Sequence, residues 1–178
     1  MPADVILLNG ASSAGKSSLA RAIQDRMRDT WLTLGIDTMI TAMPRRLDGS
    51  PEGLLFHPDG RIDTGPAWHA LESAWRRGVG AMARSGLKLV IDEVTLGGAA
   101  GQAEWKAALA GTHVLWVAVK CDAAVLAARE AARGDRVIGQ AARQAGFVHD
   151  GIAYDLEVDT SHRSSADCAA EIVARASR

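Results

Sequence analysis

The segment that most narrows what this chain can fold into is Gly10-Ala11-Ser12-Ser13-Ala14-Gly15-Lys16-Ser17, which fits the pattern GxxxxGK[ST]. It stands between two stretches of different period. Ahead of it, Val5-Ile6-Leu7-Leu8 is a short unbroken apolar run that stops at the turn pair Asn9-Gly10, as a strand buried on both faces does. Behind it, Leu19, Ile23 and Met27 recur every four residues, as on one face of a helix. A strand, a glycine-rich loop and a helix in that order converge the loop's backbone N–H groups and the positive end of the helix dipole on one point. Gly10 and Gly15 permit dihedrals and a close approach that a side chain would block. The expected ligand is a nucleoside triphosphate, held by Gly10, Ala11, Ser12, Ser13, Ala14, Gly15, Lys16, Ser17 and Ser18. Lys16 is expected on the β- and γ-phosphates and Ser17 on Mg²⁺.

The rest of the chain alternates strand and helix patterns. Leu32–Ile36, Leu87–Ile91, His113–Val119 and Tyr154–Val158 read as further strands. Helices are expected over Thr38–Met43, from Pro66 to a stop at Gly86, and over Gln102–Ala110, Ala123–Ala132 and Ser164–Ala176. The apolar face of the long helix is Trp68, Leu71, Trp75, Val79 and Met82. Residues 45–65 are rich in Gly, Pro and Asp, and Pro58-Asp59-Gly60 suits the turn of a small hairpin. This order predicts an α/β fold, a five-stranded parallel sheet covered on both faces by helices. One domain over 1–178 is expected, since 45–65 is too short to separate two.

Composition excludes several classes. At 48% hydrophobic and 23% charged residues the chain has enough apolar surface to fold, and a formal net charge of -1 does not suit a nucleic-acid binder. The first strand begins so early that no leader is expected ahead of it, and its apolar run is too short to cross a membrane. Cys121 and Cys168 are widely spaced without a CxxC partner, so a reducing cytoplasm is expected and a disulfide or metal framework is not.

Three acidic positions fall at expected strand ends, where open parallel sheets bind ligands: Asp37, Asp92-Glu93 and Asp159. Asp92 closes an apolar run as a Walker B aspartate does and is the candidate metal ligand beside Ser17, the alternative being a turn or capping aspartate. Asp37 suits a general base that takes the proton of an attacking hydroxyl, or equally an N-cap for the helix at Thr38. Arg129, Arg133, Arg136 and Arg143 crowd one polar stretch. Arg133 and Arg136 are expected in a lid, about 133–145, closing over the transferred phosphoryl group; Arg129 and Arg143 read as a solvated helix face. Val119-Lys120-Cys121-Asp122 is a weak likeness of a guanine-recognition motif, with Val119 at its leading position, and reads as a strand-to-helix connection. The five histidines show no metal spacing. Trp68 and Trp75 read as core, although one edge of their helix could line an acceptor pocket.

Several blocks taken together resemble the chloramphenicol phosphotransferases. Beside the phosphate loop these are Trp31-Leu32, Gly35-Ile36-Asp37, Ala42-Met43-Pro44, Ile91-Asp92-Glu93-Val94, Leu96-Gly97-Gly98, Ala132-Arg133-Gly134-Asp135-Arg136 and Tyr154 through Thr160, in order over nearly the whole chain. The resemblance implies a nucleotide-kinase-like P-loop fold, ATP with Mg²⁺, and transfer of the γ-phosphate to a primary hydroxyl of chloramphenicol. It implies Asp37 as catalytic base, Lys16 on the phosphates, Arg133 and Arg136 in the lid, and Asp159-Thr160 near the adenine. Leu34 and Thr95 depart from the aromatics more usual at their positions, and both could face the acceptor pocket. The expected partner is a small hydroxyl-bearing molecule, with no nucleic acid or membrane and with self-association open. The rival readings are a metabolic kinase with another acceptor, such as a shikimate-like one, and a nucleotide-dependent regulatory switch.

Overall fold

The alternation of strand β1 decides the layers. Val5 and Leu7 point to one face of the sheet and Ile6 and Leu8 to the other, and all four are fully buried. In the computed structural model, which describes residues 1–133 and 139–178 (for Arg133 the backbone alone), β1 (Val5–Asn9) is the central strand of a five-stranded sheet. It is followed by α1 (Lys16–Arg26), β2 (Trp31–Gly35), α2 (Ile36–Ala42) and a 3₁₀ turn at Arg45–Leu47. The hairpin β3 (Leu54–Phe56) and β4 (Ile62–Thr64), helix α3 (Pro66–Arg84), β5 (Lys88–Glu93), α4 (Gly98–Ala108) and β6 (Val114–Lys120) come next. The chain ends with α5 (Ala123–Arg133), α6 (Gln140–Ala145), β7 (Leu156–Asp159) and α7 (Ser165–Ala176).

All neighbours in the sheet are parallel, in the order β2-β5-β1-β6-β7. Consecutive strands that lie on opposite sides of β1 leave a crevice beyond its carboxyl end, the usual ligand position in such sheets. Register puts Asp92 beside both Leu8 and Gly35, so the phosphate loop, Asp92 and the start of α2 leave the sheet at one level. One apolar layer joins Ile6, Leu8, Val90 and Val117 to Leu19 and Ile23 of α1 and Ile172 of α7. The other joins Val5, Leu7, Leu89 and Ile91 to Val79 of α3, Trp105 of α4 and Leu109 just after it. Each such side chain contributes roughly 1.5–3 kcal/mol by leaving water.

The expected five strands and parallel sheet are present, with ends shifted by a residue or two. The main departure is α3. Its Pro66 occupies the first turn and Gly86, at φ +95°, takes the left-handed position that ends it, as expected. Its buried stripe, however, is Trp68, Arg76, Val79, Gly80 and Ala83, while Met82 is exposed. Leu71 and Trp75 are partly buried and pack against the core, so the expected apolar face holds except at Met82, and Arg76 joins it with charged partners. Of the expected lid, residues 134–138, with Arg136, lie outside the described residues, as does the side chain of Arg133. Among the described residues no helix is long and apolar enough to cross a membrane.

Candidate active site

The loop after β1 is shaped by packing from distant parts of the chain. A Cβ on Gly10 would lie 2.4 Å from the carbonyl oxygen of Val119, so only glycine lets β1 run this close to β6. Gly15 has φ +82°, and Ser13, without a glycine's freedom, has φ +61°. Asn9 is fully buried beneath the loop: its Nδ2 donates to Val148 O and Tyr154 Oη, and its Oδ1 accepts from Thr95 N. Burial pushes the Tyr154 phenol up to about 12, so it stays a neutral hydroxyl there. Thr160 Oγ1 donates to Ala14 O at 2.8 Å, and Ser12 N donates to Gln144 Oε1 at 2.7 Å.

At the mouth of α1 the structure brings Lys16, Ser17 and Asp92 together. Lys16 Nζ is buried, donates to Ala11 O at 2.9 Å and lies 3.7 Å from Asp92 Oδ1. Ser17 Oγ donates to Asp92 Oδ2 at 2.6 Å. Ser17 and Asp92 present hard oxygen donors side by side, the donor type of a magnesium site that keeps several waters. Among the described residues no group of three or more His, Cys, Asp or Glu could hold a metal.

One cavity of about 1410 Å³ takes in the loop residues Ser12, Ser13, Gly15, Lys16, Ser17 and Ser18 together with Asp37 and Asp92. Asp37 lies within the first turn of α2 and is exposed toward this space. It is not the cap of that helix: Gly35 occupies the capping position, and its N–H donates to Thr38 Oγ1. Gly10, Ala11 and Ala14 do not line the cavity with side chains; the carbonyls of Ala11 and Ala14 hold Lys16 and Thr160. Thr160 lines it, whereas Asp159 does not: strand alternation turns Asp159 outward, where its Oδ1 accepts from Ser161 N. Arg129, expected on a solvated face, instead reaches over Cys121 to donate to Thr160 O at 2.7 Å and lines the cavity beside Gly15. Arg143 pairs at the surface with Asp59 in the hairpin turn, at 3.6 Å.

One edge of the Trp68 helix lines the cavity, as the sequence allowed, and it carries charged residues that the sequence reading did not single out. Trp68, Glu72 and Arg76, four apart on α3, line it together with Glu104 of α4. Arg76 donates to Glu72 Oε1 at 2.6 Å and, by its other terminal nitrogen, to Glu104 Oε2. Burial raises the Glu72 carboxyl above its ordinary value, against the pull of Arg76. Behind them Glu93 is buried and accepts from Val94 N and Trp105 Nε1; burial pushes its carboxyl to about 7. The signal was present as the four-residue spacing of Trp68, Glu72 and Arg76, but the tryptophans drew it into an apolar stripe. Leu34 and Thr95 do not line the cavity. Leu34 packs with the α3 and α4 layer, and Thr95 is buried against Gly101, so Val94 and Leu96 face the space instead.

A Mycobacterium tuberculosis protein named "Putative O-phosphotransferase" is 32% identical over 173 residues, covering 88% of this chain and 75% of its own. A sugar kinase from Janibacter sp. HTCC2649, solved unliganded, superposes with a TM-score of 0.67 at 13% identity, over 98% of this chain and 92% of its own. The Mycobacterium tuberculosis APS kinase, solved with AMPPNP and APS, gives 0.61 at 16% identity, over 97% and 96%. These two likenesses show the P-loop kinase fold. The model of the family described as chloramphenicol phosphotransferase-like protein matches residues 3–177. The chain belongs to that family, and is an enzyme of the kinase type that moves a phosphoryl group from a nucleotide to a hydroxyl.

Proposed function

We propose that the protein transfers the γ-phosphate of ATP to a hydroxyl of a chloramphenicol-like small molecule in the cytoplasm. The observation that carries this reading is the single cavity shared by the phosphate loop, the Lys16–Ser17–Asp92 cluster and Asp37, with room beyond them for an acceptor walled by α2, the hairpin and α3.

The chain's own groups have distinct work in an in-line transfer. Asp37 accepts the proton as the acceptor oxygen attacks the γ-phosphorus, and ADP leaves as the bond to the β–γ bridging oxygen breaks. Lys16 exchanges its hold on Ala11 O for the β- and γ-phosphate oxygens, and the loop's N–H groups fix the remaining oxygens in place. Ser17 and Asp92 would hold magnesium, which when bound neutralises charge on the phosphate oxygens. The family resemblance adds Arg133 and Arg136 as further positive charge, and Thr160 at the adenine side.

The test is mass spectrometry of chloramphenicol incubated with the protein, ATP and Mg²⁺ against a no-enzyme control. A product heavier by one phosphoryl group is expected and would make antibiotic inactivation the cellular role. Unmodified drug in the presence of demonstrated ATP binding would remove chloramphenicol as the acceptor.

A further inference from the structure

Resting on the phosphotransferase reading, we infer that the α3–α4 wall selects an acceptor alcohol that carries a protonated amine. Two carboxylates, Glu72 and Glu104, flank one guanidinium, that of Arg76, so the wall keeps a net negative charge after its ion pairs are made. Both terminal nitrogens of Arg76, a side chain more than nine-tenths buried, are taken up by Glu104 and Glu72, so its charge is committed on both sides; its Nε, also buried, has no hydrogen-bond partner. Glu104 lies at the rim with its side chain 62% exposed, open to a ligand.

The same wall is aromatic. Trp68 stands one turn before Glu72 on α3, and Phe56 of the hairpin lines the cavity and packs with it. Carboxylates beside aromatic faces are the chemistry that holds an ammonium group, by charge-assisted hydrogen bonds and by the ring quadrupole. Gly97 and Ala100, beside Glu104 on the α4 side, line the cavity with small residues. An acceptor bearing a carboxylate or sulfate would meet like charge here, which disfavours a shikimate-like metabolite.

A matched pair tests this without turnover: chloramphenicol, whose nitrogen is acylated and neutral, and the amine base left when its acyl group is removed. Binding of each to the full chain saturated with AMPPNP is measured by calorimetry. The amine base should bind about tenfold or more tightly, as a charge-assisted contact does over a neutral one. That preference should shrink in high salt, as a contact at a partly exposed carboxylate does. Glu104→Gln, which keeps an oxygen to accept from Arg76, should narrow the ratio, and Glu72→Gln should narrow it further; thermal unfolding checks that each variant is folded. Equal or tighter binding of chloramphenicol, a ratio unmoved by Glu104→Gln, or no binding of either compound would overturn the inference. A clear amine preference without phosphorylated product would count against the transfer reading alone.

Discussion

Ser17 Oγ and Asp92 Oδ2 are 2.6 Å apart, although they belong to α1 and β5 and are 75 positions apart in the chain. On the proposed reading these two hard oxygens would hold magnesium. Asp92→Asn keeps the shape but removes the charge. It should raise the magnesium concentration needed for half-maximal turnover by about 10–100-fold. A magnesium titration of initial rates checks this, and an unchanged midpoint would take Asp92 out of the metal site.

Asp37→Ala should lower kcat by on the order of 10²–10⁴ while leaving nucleotide affinity intact. Asp37 lies in the first turn of α2 and does not cap it, so the change leaves the capping contact of Gly35 in place. Fluorescent ATP-analogue binding run beside the rate assay separates the two effects. Retained turnover would assign the proton to another group.

Gly10→Ala should destabilise the protein by about 1–3 kcal/mol, the range for overpacking. Its Cβ would press on the backbone oxygen of Val119, which has no rotamer by which to retreat. Thermal unfolding measures the loss, and nucleotide affinity should fall with it because the loop and β6 move apart. A variant as stable as the parent would show that the strands yield more easily than their register suggests.

Glu93 gives stability a pH dependence of definite sign. Its carboxyl is raised from 4.5 to about 7 in the folded chain, so between those values the folded state holds a proton that the unfolded state has lost. Stability therefore falls as pH rises through that window, by roughly 3 kcal/mol at most, and levels off above it. Urea unfolding at steps from pH 5 to 8 should show this slope, and Glu93→Gln should flatten it. A parent slope equal to that of the variant would mean that water reaches Glu93.

The sheet was legible because apolar runs of β1, β5 and β6 are buried on both faces and carry no competing pattern. The phosphate loop was legible because its glycines and lysine are spaced by the chemistry itself. An edge of α3 was legible as a pocket wall, but the charges on it were not. Trp68, Glu72 and Arg76 share a helix face, yet whether that face meets a core or a cavity depends on α4, which supplies Glu104 from 28 positions beyond Arg76. Arg129 differs for the same reason: its spacing from Arg133 suits a solvated helix, and its partners, Cys121 after β6 and Thr160 after β7, come from other elements. Asp159 and Thr160 were read as a unit, whereas adjacent residues of a strand face opposite ways.

Gly10 leans on Val119, Ser12 on Gln144 and Ala14 on Thr160. A growing chain therefore carries the whole phosphate motif long before it can use it. Nucleotide is expected not to stabilise an early fragment, because these contacts to the loop are absent until Thr160 has been made. On the proposed reading, stabilisation by ATP during synthesis is then expected only near completion. A truncation before α6 should keep the recognisable signature and lose the binding that the signature advertises.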